Sequence, residues 1–186
     1  SNKEYKSLAD LKGSTVRVQE NPYHIAFWSA LGANPTPLAF GEVYLSLQQG
    51  MLDAQENPYG SIIGAKLYEV QKYLYESDHI PFISTTVVSK AKMDSLSASQ
   101  KQAVYEFCYA MEYYMLENAG AAIEDENKTC VDGGMTYIAE MPADIVAQYP
   151  AAAQAAINAM KGAVNEQFLS DYVAAINTVE GTSLTA

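Results

Sequence analysis

Apolar and polar positions alternate in residues 15–18, and this alternation predicts a short strand. Val16 and Val18 would enter a core, while Arg17, the only arginine of the chain, would point to the opposite face. A guanidinium presents a planar fork of donors that can hold a carboxylate or phosphate through two parallel hydrogen bonds. A weak surface ion pair is the commoner role for one arginine, so the neighbouring elements have to decide between the two roles.

Helical and extended patterns take turns along the next part of the chain. Apolar spacing predicts helices at residues 22–31 and 41–50, and extended runs at residues 35–40 and 53–58. Strands and helices joined by short links are typical of a mainly parallel sheet with helices on its faces, which binds ligands at the carboxyl ends of its strands. Arg17, Phe40 and Asn57 lie at those ends, so we predict that this fork donor, aromatic wall and amide form a site for a small carboxylate.

The second half of the chain is dominated by one long helical pattern. Residues 73–89 are rich in β-branched and aromatic side chains and predict one long strand, or two strands interrupted near Pro81. Ser97 and Gln100 form a capping-box signature, and the helix that begins there continues to about residue 128. At about 1.5 Å per residue such a helix is roughly 45 Å long, so we expect it to bridge two parts of a larger body. Residues 135–141 predict a last strand, and helical spacing follows from Pro142 to Gly181.

Composition narrows the possible partners. The chain has 186 residues, 49% of them hydrophobic, and a formal net charge of −11, which suits a folded domain and disfavours nucleic acid and anionic membrane surfaces. It contains no apolar run of the length that spans a bilayer and no secretory leader pattern. G-x-S-x-G, P-loop and G-x-G-x-x-G patterns are absent, so we predict neither an enzyme nor a cofactor.

The histidines, cysteines and tyrosines form no pattern that predicts a metal or catalytic site. His24 and His79 are far apart in sequence and predict no metal site, and each is more often structural than catalytic. Cys108 is expected to be a small core residue, and a disulfide with Cys130 is possible but has no support in the pattern. Tyrosines recur at helical spacing on the long helix and predict core or interface packing: Tyr105, Tyr109 and Tyr113.

Several motifs in register resemble one family. The runs ADLKGSTVRV, LGANPTPLAFGEVYLSLQQGMLDAQENP and YEVQKYLYESDHI, followed by VVSK, resemble the solute-binding proteins of TRAP (tripartite ATP-independent periplasmic) transporters of the DctP type. The match runs in order from about residue 9 to residue 90, and a looser likeness continues to the end. The resemblance implies an α/β, periplasmic-binding-protein-like (type II) lobe with a mainly parallel sheet, flanking helices and one long lobe-spanning helix.

The resemblance also implies a function. Such proteins lie in the periplasm or elsewhere outside the cytoplasmic membrane, close on a small organic acid and deliver it to a membrane permease. The family arginine that binds the ligand carboxylate is matched by Arg17, the asparagine of the Q-E-N-P motif by Asn57, and the aromatic residue at the end of the preceding strand by Phe40. Family members commonly have lysine where Thr15 stands and glycine where Ala54 stands, and neither departure removes a proposed ligand contact.

The family pattern further implies a division of the chain. Residues 1–82 and 123–186 correspond to the C-terminal ligand-binding lobe, and residues 83–122 to a strand and helix that belong to an N-terminal lobe outside this sequence. Without that lobe, the apolar surface of residues 83–122 would be exposed, and we expect self-association. Two other functions stay open: a ligand-sensing lobe that signals occupancy to a partner protein, and, more remotely, an enzyme of the same architecture.

Overall fold

The computed structural model describes all 186 residues, and strands alternate with helices through its first half. The helices and strands, in chain order, are α1 Leu8–Leu11, β1 Thr15–Val18, α2 Pro22–Ala30, β2 Asn34–Pro37, α3 Val43–Gln48, β3 Ala54–Gln55, α4 Tyr59–Gly64, β4 Tyr73–Tyr75, α5 Lys90–Asp94, α6 Ala98–Asp132, β5 Thr136–Ile138, α7 Ala143–Val146, α8 Tyr149–Met160 and α9 Glu166–Glu180. Single turns of 3-10 helix precede α3 and follow α4.

Strand β1 is the central strand of a three-stranded parallel sheet in the order β2-β1-β3. Strands β4 and β5 form a separate parallel pair. The predicted α/β fold with parallel sheets and flanking helices is therefore confirmed. Val16 and Val18 are buried as expected, and Arg17 on the opposite face is buried as well, so β1 is covered on both sides.

Two apolar cores hold these elements together. The first joins β1 to helices α2 and α8 and contains Phe27 and Trp28. The second lies under α3 and α4 and receives Leu74 from β4 and Cys130 from the end of α6. Val18, at the carboxyl end of β1, belongs to the first core, and Leu38, just after β2, packs against the second, so both cores hold strand ends near the predicted site.

The predicted strand after β4 is wrong. Strand β4 ends at Tyr75, and residues 76–89 contain no helix or strand. Residues 80–89 are exposed, and the backbone of residues 80–88 makes no hydrogen bond to any other backbone group. The β-branched composition favours an extended chain, but a strand needs a neighbour to complete its hydrogen bonds, and this chain supplies none.

The long helix is confirmed, and most of its residues are exposed. Helix α6 has 35 residues and begins with the predicted capping box between Ser97 and Gln100. Cys130 is its one buried residue, and the tyrosine stripe is exposed, so the tyrosines are not part of a core in this chain. Cys108 is half-buried, and both cysteines are free.

The C-terminal helical pattern is divided. Gly162 has a positive φ of 76°, and the chain turns there between α8 and α9, which pack around Ile157, Leu169 and Val173. None of the helices combines the length and apolar content that a membrane-spanning helix needs.

Candidate functional site

Arg17 lies in the middle of the sheet with its charge enclosed. Arg17 is only 3% exposed. Its Nε and Nη2 both donate hydrogen bonds to the carbonyl oxygen of Leu38, at 3.0 and 2.7 Å. Nη1 is buried and has no hydrogen-bond partner. A buried cationic donor without an acceptor is costly, so this nitrogen is the donor that is available for a further hydrogen bond.

The surroundings of the guanidinium are aromatic and weakly polar. The guanidinium carbon lies 5.7 Å from the centroid of the Phe40 ring, a distance at which the ring face attracts a cation. Burial lowers the pKa of Arg17, and the carboxylate of Glu56 opposes this shift. The guanidinium stays protonated at physiological pH because its ordinary pKa is so high. Phe40 lies in the 3-10 turn that follows β2, not on a strand as predicted.

Asn57 is held by a chain of amides. Its Nδ2 donates to Oε1 of Gln55 at 2.5 Å, and Nε2 of Gln55 donates to Oε1 of Gln71 at 3.1 Å. Gln55 is the last residue of β3 and pairs with Arg17 across the sheet. The network therefore fixes the amide of Asn57 relative to the strand that carries the guanidinium.

The structure brings the three predicted residues into one cavity of 220 Å³, lined by Arg17, Gln19, Phe40, Asn57, Ser61 and Phe82. Sequence reasoning missed three of them. Gln19 lies two residues after Arg17, and the period of a strand could have pointed to it. Ser61 and Phe82 carry no such local signal, because their approach depends on the fold.

A larger cavity of 970 Å³ adjoins the first one and shares Gln19, Asn57, Ser61 and Phe82 with it. The N-terminal part of α4 lines it on one side, and the segment after β4 lines it on another. Tyr59 of α4 donates a hydrogen bond to Glu76 and accepts one from Asn127 of α6 at 3.1 Å. The wall of the larger cavity thus joins α4, the start of the irregular segment and the C-terminal end of α6.

Both histidines of the chain meet at Glu56, which also lines the larger cavity. His24 Nδ1 lies 3.1 Å from Glu56 Oε1, and His79 Nε2 lies 3.7 Å from Oε2. Burial lowers the pKa of His79, although Glu56 opposes the shift, so His79 is neutral at pH 7 and its long contact with Glu56 is not an ion pair. No group of three or more His, Cys, Asp or Glu side chains is arranged to hold a metal ion.

Comparison with known proteins identifies the family of the chain. Residues 1–163 match the family model of the bacterial extracellular solute-binding proteins, family 7, called DctP. A solute-binding protein of Verminephrobacter eiseniae is 40% identical over 141 residues, which are 74% of this chain and 41% of that protein. The names of such relatives describe binding proteins rather than enzymes.

Two solved structures share the fold. A TRAP periplasmic solute-binding protein from Desulfovibrio salexigens with bound orotic acid superposes with a TM-score of 0.76 at 28% identity, covering 86% of this chain and 51% of the other. One from Xanthobacter autotrophicus Py2 with bound β-D-galacturonate gives a TM-score of 0.77 at 26% identity, covering 95% and 57%. The chain thus spans about half the length of these relatives. With its α/β fold and with a family match over residues 1–163, the chain belongs to the DctP family of TRAP solute-binding proteins.

Proposed function

We propose that this chain is the ligand-binding lobe of an extracytoplasmic TRAP solute-binding protein, that it binds a small organic acid through Arg17, and that it performs no catalysis. The observation that carries the proposal is the buried Nη1 of Arg17, which has no hydrogen-bond partner. A ligand carboxylate would supply the missing acceptor in a desolvated site, where charge-assisted hydrogen bonds are strongest. Phe40 and Asn57 line the same cavity and would contact the rest of the ligand.

Arg17 is the one charged side chain that lines the cavity, and the uncharged remainder of the lining favours a singly charged, hydroxylated acid. Gln19, Asn57 and Ser61 offer donors and acceptors suited to hydroxyl groups, and Phe40 and Phe82 offer aromatic faces. The nearby carboxylate of Glu56 would repel a second negative charge. The galacturonate in the Xanthobacter protein is such an acid, whereas the orotic acid in the Desulfovibrio protein also has one carboxyl group but carries ring carbonyl and N–H groups instead of hydroxyls.

Entry of the ligand requires a small movement. Arg17 is 3% exposed, whereas Phe40 and Phe82 at the same cavity are 43% and 69% exposed. We expect one of these rings to swing aside and then to cover the bound acid, because exposed aromatic side chains change rotamer at little cost.

Titration calorimetry with D-galacturonate and orotate tests the role of Arg17. It is applied to this chain and to a protein that also includes the proposed second lobe. Arg17→Ala is expected to weaken binding by about 30-fold or more, since truncating one partner of a buried charge pair costs about 2 to 5 kcal/mol. Arg17→Lys keeps the charge but not the fork, and we expect an intermediate loss. Lys66→Ala removes an exposed cation and is the matched control. If Arg17→Ala and wild type bound the acids with equal affinity, Arg17 would not be a ligand contact.

The division of the chain is part of the same proposal. We propose that residues 1–82 and 123–186 form this lobe and that residues 83–122 pack against a second lobe. Exposed residues 80–90 and the lack of buried residues in α6 before Cys130 support this division. We further propose, by analogy with the family, that the chain is periplasmic and delivers the acid to a TRAP membrane permease. Uptake of labelled acid by cells with and without the permease tests delivery. The alternative role as a sensor has no observation in its favour.

A further inference from the structure

Two histidines from distant parts of the chain converge on one carboxylate. His24 comes from α2, Glu56 follows β3, and His79 follows β4. Their side chains are 12%, 11% and 9% exposed, so all three are enclosed. The chain has no other histidine, so every imidazole that it contains is at this cluster.

Glu56 connects the cluster to the ligand cavity. Its neighbour in the chain is Asn57, whose amide lines the cavity, and its charge acts on Arg17. An ionised carboxylate only accepts hydrogen bonds, so the ring of His24 presents Nδ1–H to Glu56 Oε1. This hydrogen bond fixes the side chain of Glu56 and with it the turn that leads from β3 into α4.

His79 anchors the other side of the cluster. Its ring lies 5.4 Å from the ring of Phe27 and 5.1 Å from that of Trp28, and Nδ1 is 2.9 Å from the hydroxyl of Ser77. Beyond His79, the backbone of residues 80–88 makes no hydrogen bond to another backbone group. His79 is thus the last anchored residue before Phe82, which lines the cavity beside Arg17.

We propose that Glu56 is a positioning residue that couples the strand end carrying Asn57 to the segment carrying Phe82, and that protonation of His79 loosens this coupling. The ligand role of the coupling rests on the proposed function, but the coupling itself does not. Each end of the link reaches the same cavity, so displacement of one wall moves the other.

The charges around the cluster set the direction of the effect. Arg17 of β1 faces Glu56, and His24 of α2 and Asp78 both act on the charge of His79. Tyr149 of α8 lies near Asp78, and its hydroxyl donates to the carbonyl oxygen of Ser77 at 3.0 Å. Burial lowers the pKa of His79, so a proton on its ring is unfavourable in the aromatic pocket. Acidification is expected to expel His79 and to free the segment that follows it.

Nuclear magnetic resonance of the isotope-labelled chain tests the coupling without ligand. The two imidazole signals are followed from neutral to mildly acidic pH together with the backbone amides of Asn57 and Phe82. We expect both amide signals to change with the same midpoint as the His79 ring, and the ring nitrogens of His24 to show a proton on Nδ1 at neutral pH. Independence of the Asn57 amide from the His79 titration would overturn the proposal.

Three variants separate positioning from simple support of the fold. In Glu56→Ala the ring of His79 still titrates, but the Asn57 amide no longer follows it. Glu56→Gln retains an acceptor for His24 and loses the charge, so the coupling persists and the His79 midpoint moves to lower pH, because the carboxylate that raised it is gone. Glu69→Gln changes an exposed carboxylate remote from the cluster and matches wild type. Coupling that survives in Glu56→Ala contradicts the role of Glu56.

D-galacturonate is the probe for the ligand arm. Glu56→Ala is expected to weaken its binding about tenfold and Glu56→Gln less, because Asn57 would lose the preorganisation that Glu56 gives to its turn. Wild-type affinity in Glu56→Ala counts against the positioning role. A wild-type chain that keeps the coupled titration and fails to bind galacturonate supports the coupling and counts against the proposed function, so the two failures are distinguishable.

Discussion

Arg17 differs from the lysines of the chain because a backbone carbonyl determines which of its nitrogens is free. Nε and Nη2 donate to the carbonyl oxygen of Leu38, and this pair of hydrogen bonds fixes the plane of the guanidinium. Nη1 is left as the donor without a partner. A lysine has a single nitrogen on a flexible stem and could not be divided in this way between a structural and a binding contact.

The pH dependence of stability is expected to follow His79. Burial lowers its pKa below the ordinary 6.5, so below that pH the unfolded chain binds the proton more readily than the folded chain. The contribution of His79 to the free energy of unfolding is therefore present above about pH 6.5 and is lost as the pH falls through the lower folded-state pKa. Urea unfolding at a series of pH values from about 7.5 to about 5 measures this loss.

Two variants assign this loss to His79. His79→Gln is expected to flatten the dependence; the buried Ser1 amino group, with its pKa lowered to about 5, acts equally in both proteins and cancels in the comparison. Asp10→Asn is the control: backbone donation from Lys6 lowers the pKa of Asp10 below the ordinary 3.8, so its effect falls at more acidic pH. An unchanged pH dependence in His79→Gln would show that His79 does not titrate on unfolding.

Single residues were predictable where local pattern determines their place. Arg17 and Asn57 are near strand ends, and parallel strand ends share one edge of a sheet, so their convergence follows from short-range order. The cluster of His24, Glu56 and His79 depends on which faces of α2 and of the segment after β4 meet. These residues are far apart in sequence, so no local pattern predicted their contact. Phe82 was missed for the same reason.

At the scale of the element, α6 is a helix stabilised at its ends. The capping box of Ser97 and Gln100 satisfies donors at its start, and the packing of its last turns against α4 buries Cys130 at its end. Between these ends, large apolar side chains such as Phe107, Tyr113 and Leu116 are exposed. Its length was predictable because helical spacing is local. Its exposure was expected only through the family resemblance, because exposure depends on partners that spacing does not show.

Two glycines of this helix region are expected to respond oppositely to alanine. A Cβ at Gly133, the residue that caps α6, would collide with Cδ2 of the Tyr68 ring and lie 3.0 Å from Cε2. Gly133→Ala should lower the free energy of unfolding by about 1 to 3 kcal/mol, as overpacking does. A Cβ at Gly120, inside the helix, meets nothing within 4 Å, and Gly120→Ala should raise stability by about 0.5 to 1 kcal/mol.

Denaturant unfolding of both variants measures the difference. Tyr68→Ala is combined with Gly133→Ala as a further control, since removing the ring should cancel most of the added cost. A stabilising Gly133→Ala would mean that the Tyr68 ring moves aside freely.

The segment after β4 shows the limit of pattern at this scale. Val87 and Val88 have the side chains of a strand, and both are exposed in a chain stretch that pairs with nothing. Strand propensity expresses how well a side chain fits a half-buried pleated surface, so the same sequence is a strand only when a neighbouring strand exists.

At the scale of the whole molecule, the exposed apolar surface is concentrated on residues 80–88 and on α6. Its large exposed side chains are Ile80, Phe82, Ile83, Val87, Val88, Tyr105, Phe107, Tyr109, Tyr113, Tyr114, Met115, Leu116, Ile123 and Val131. Contiguous surface of this kind marks an interface in soluble proteins. We have proposed a second lobe as its partner, and the division of the chain predicted from the family pattern stays a prediction.

The 186-residue chain by itself is therefore expected to associate through this surface. Sedimentation at increasing protein concentration, from about 1 to about 100 µM, should show a rising weight-average mass, because association follows mass action. The net charge of −11 opposes contact between copies, so added salt should strengthen the association by screening.

Lysine substitutions locate the contact. Tyr113→Lys with Leu116→Lys places charge on the exposed face of α6 and should restore the monomer, whereas Tyr172→Lys, at an exposed aromatic side chain of α9, should not. In the gene product with a second lobe, we expect a monomer without any substitution, because the lobe would cover the same face. A chain that is monomeric at every protein and salt concentration would show that this face is stable in water and requires no partner.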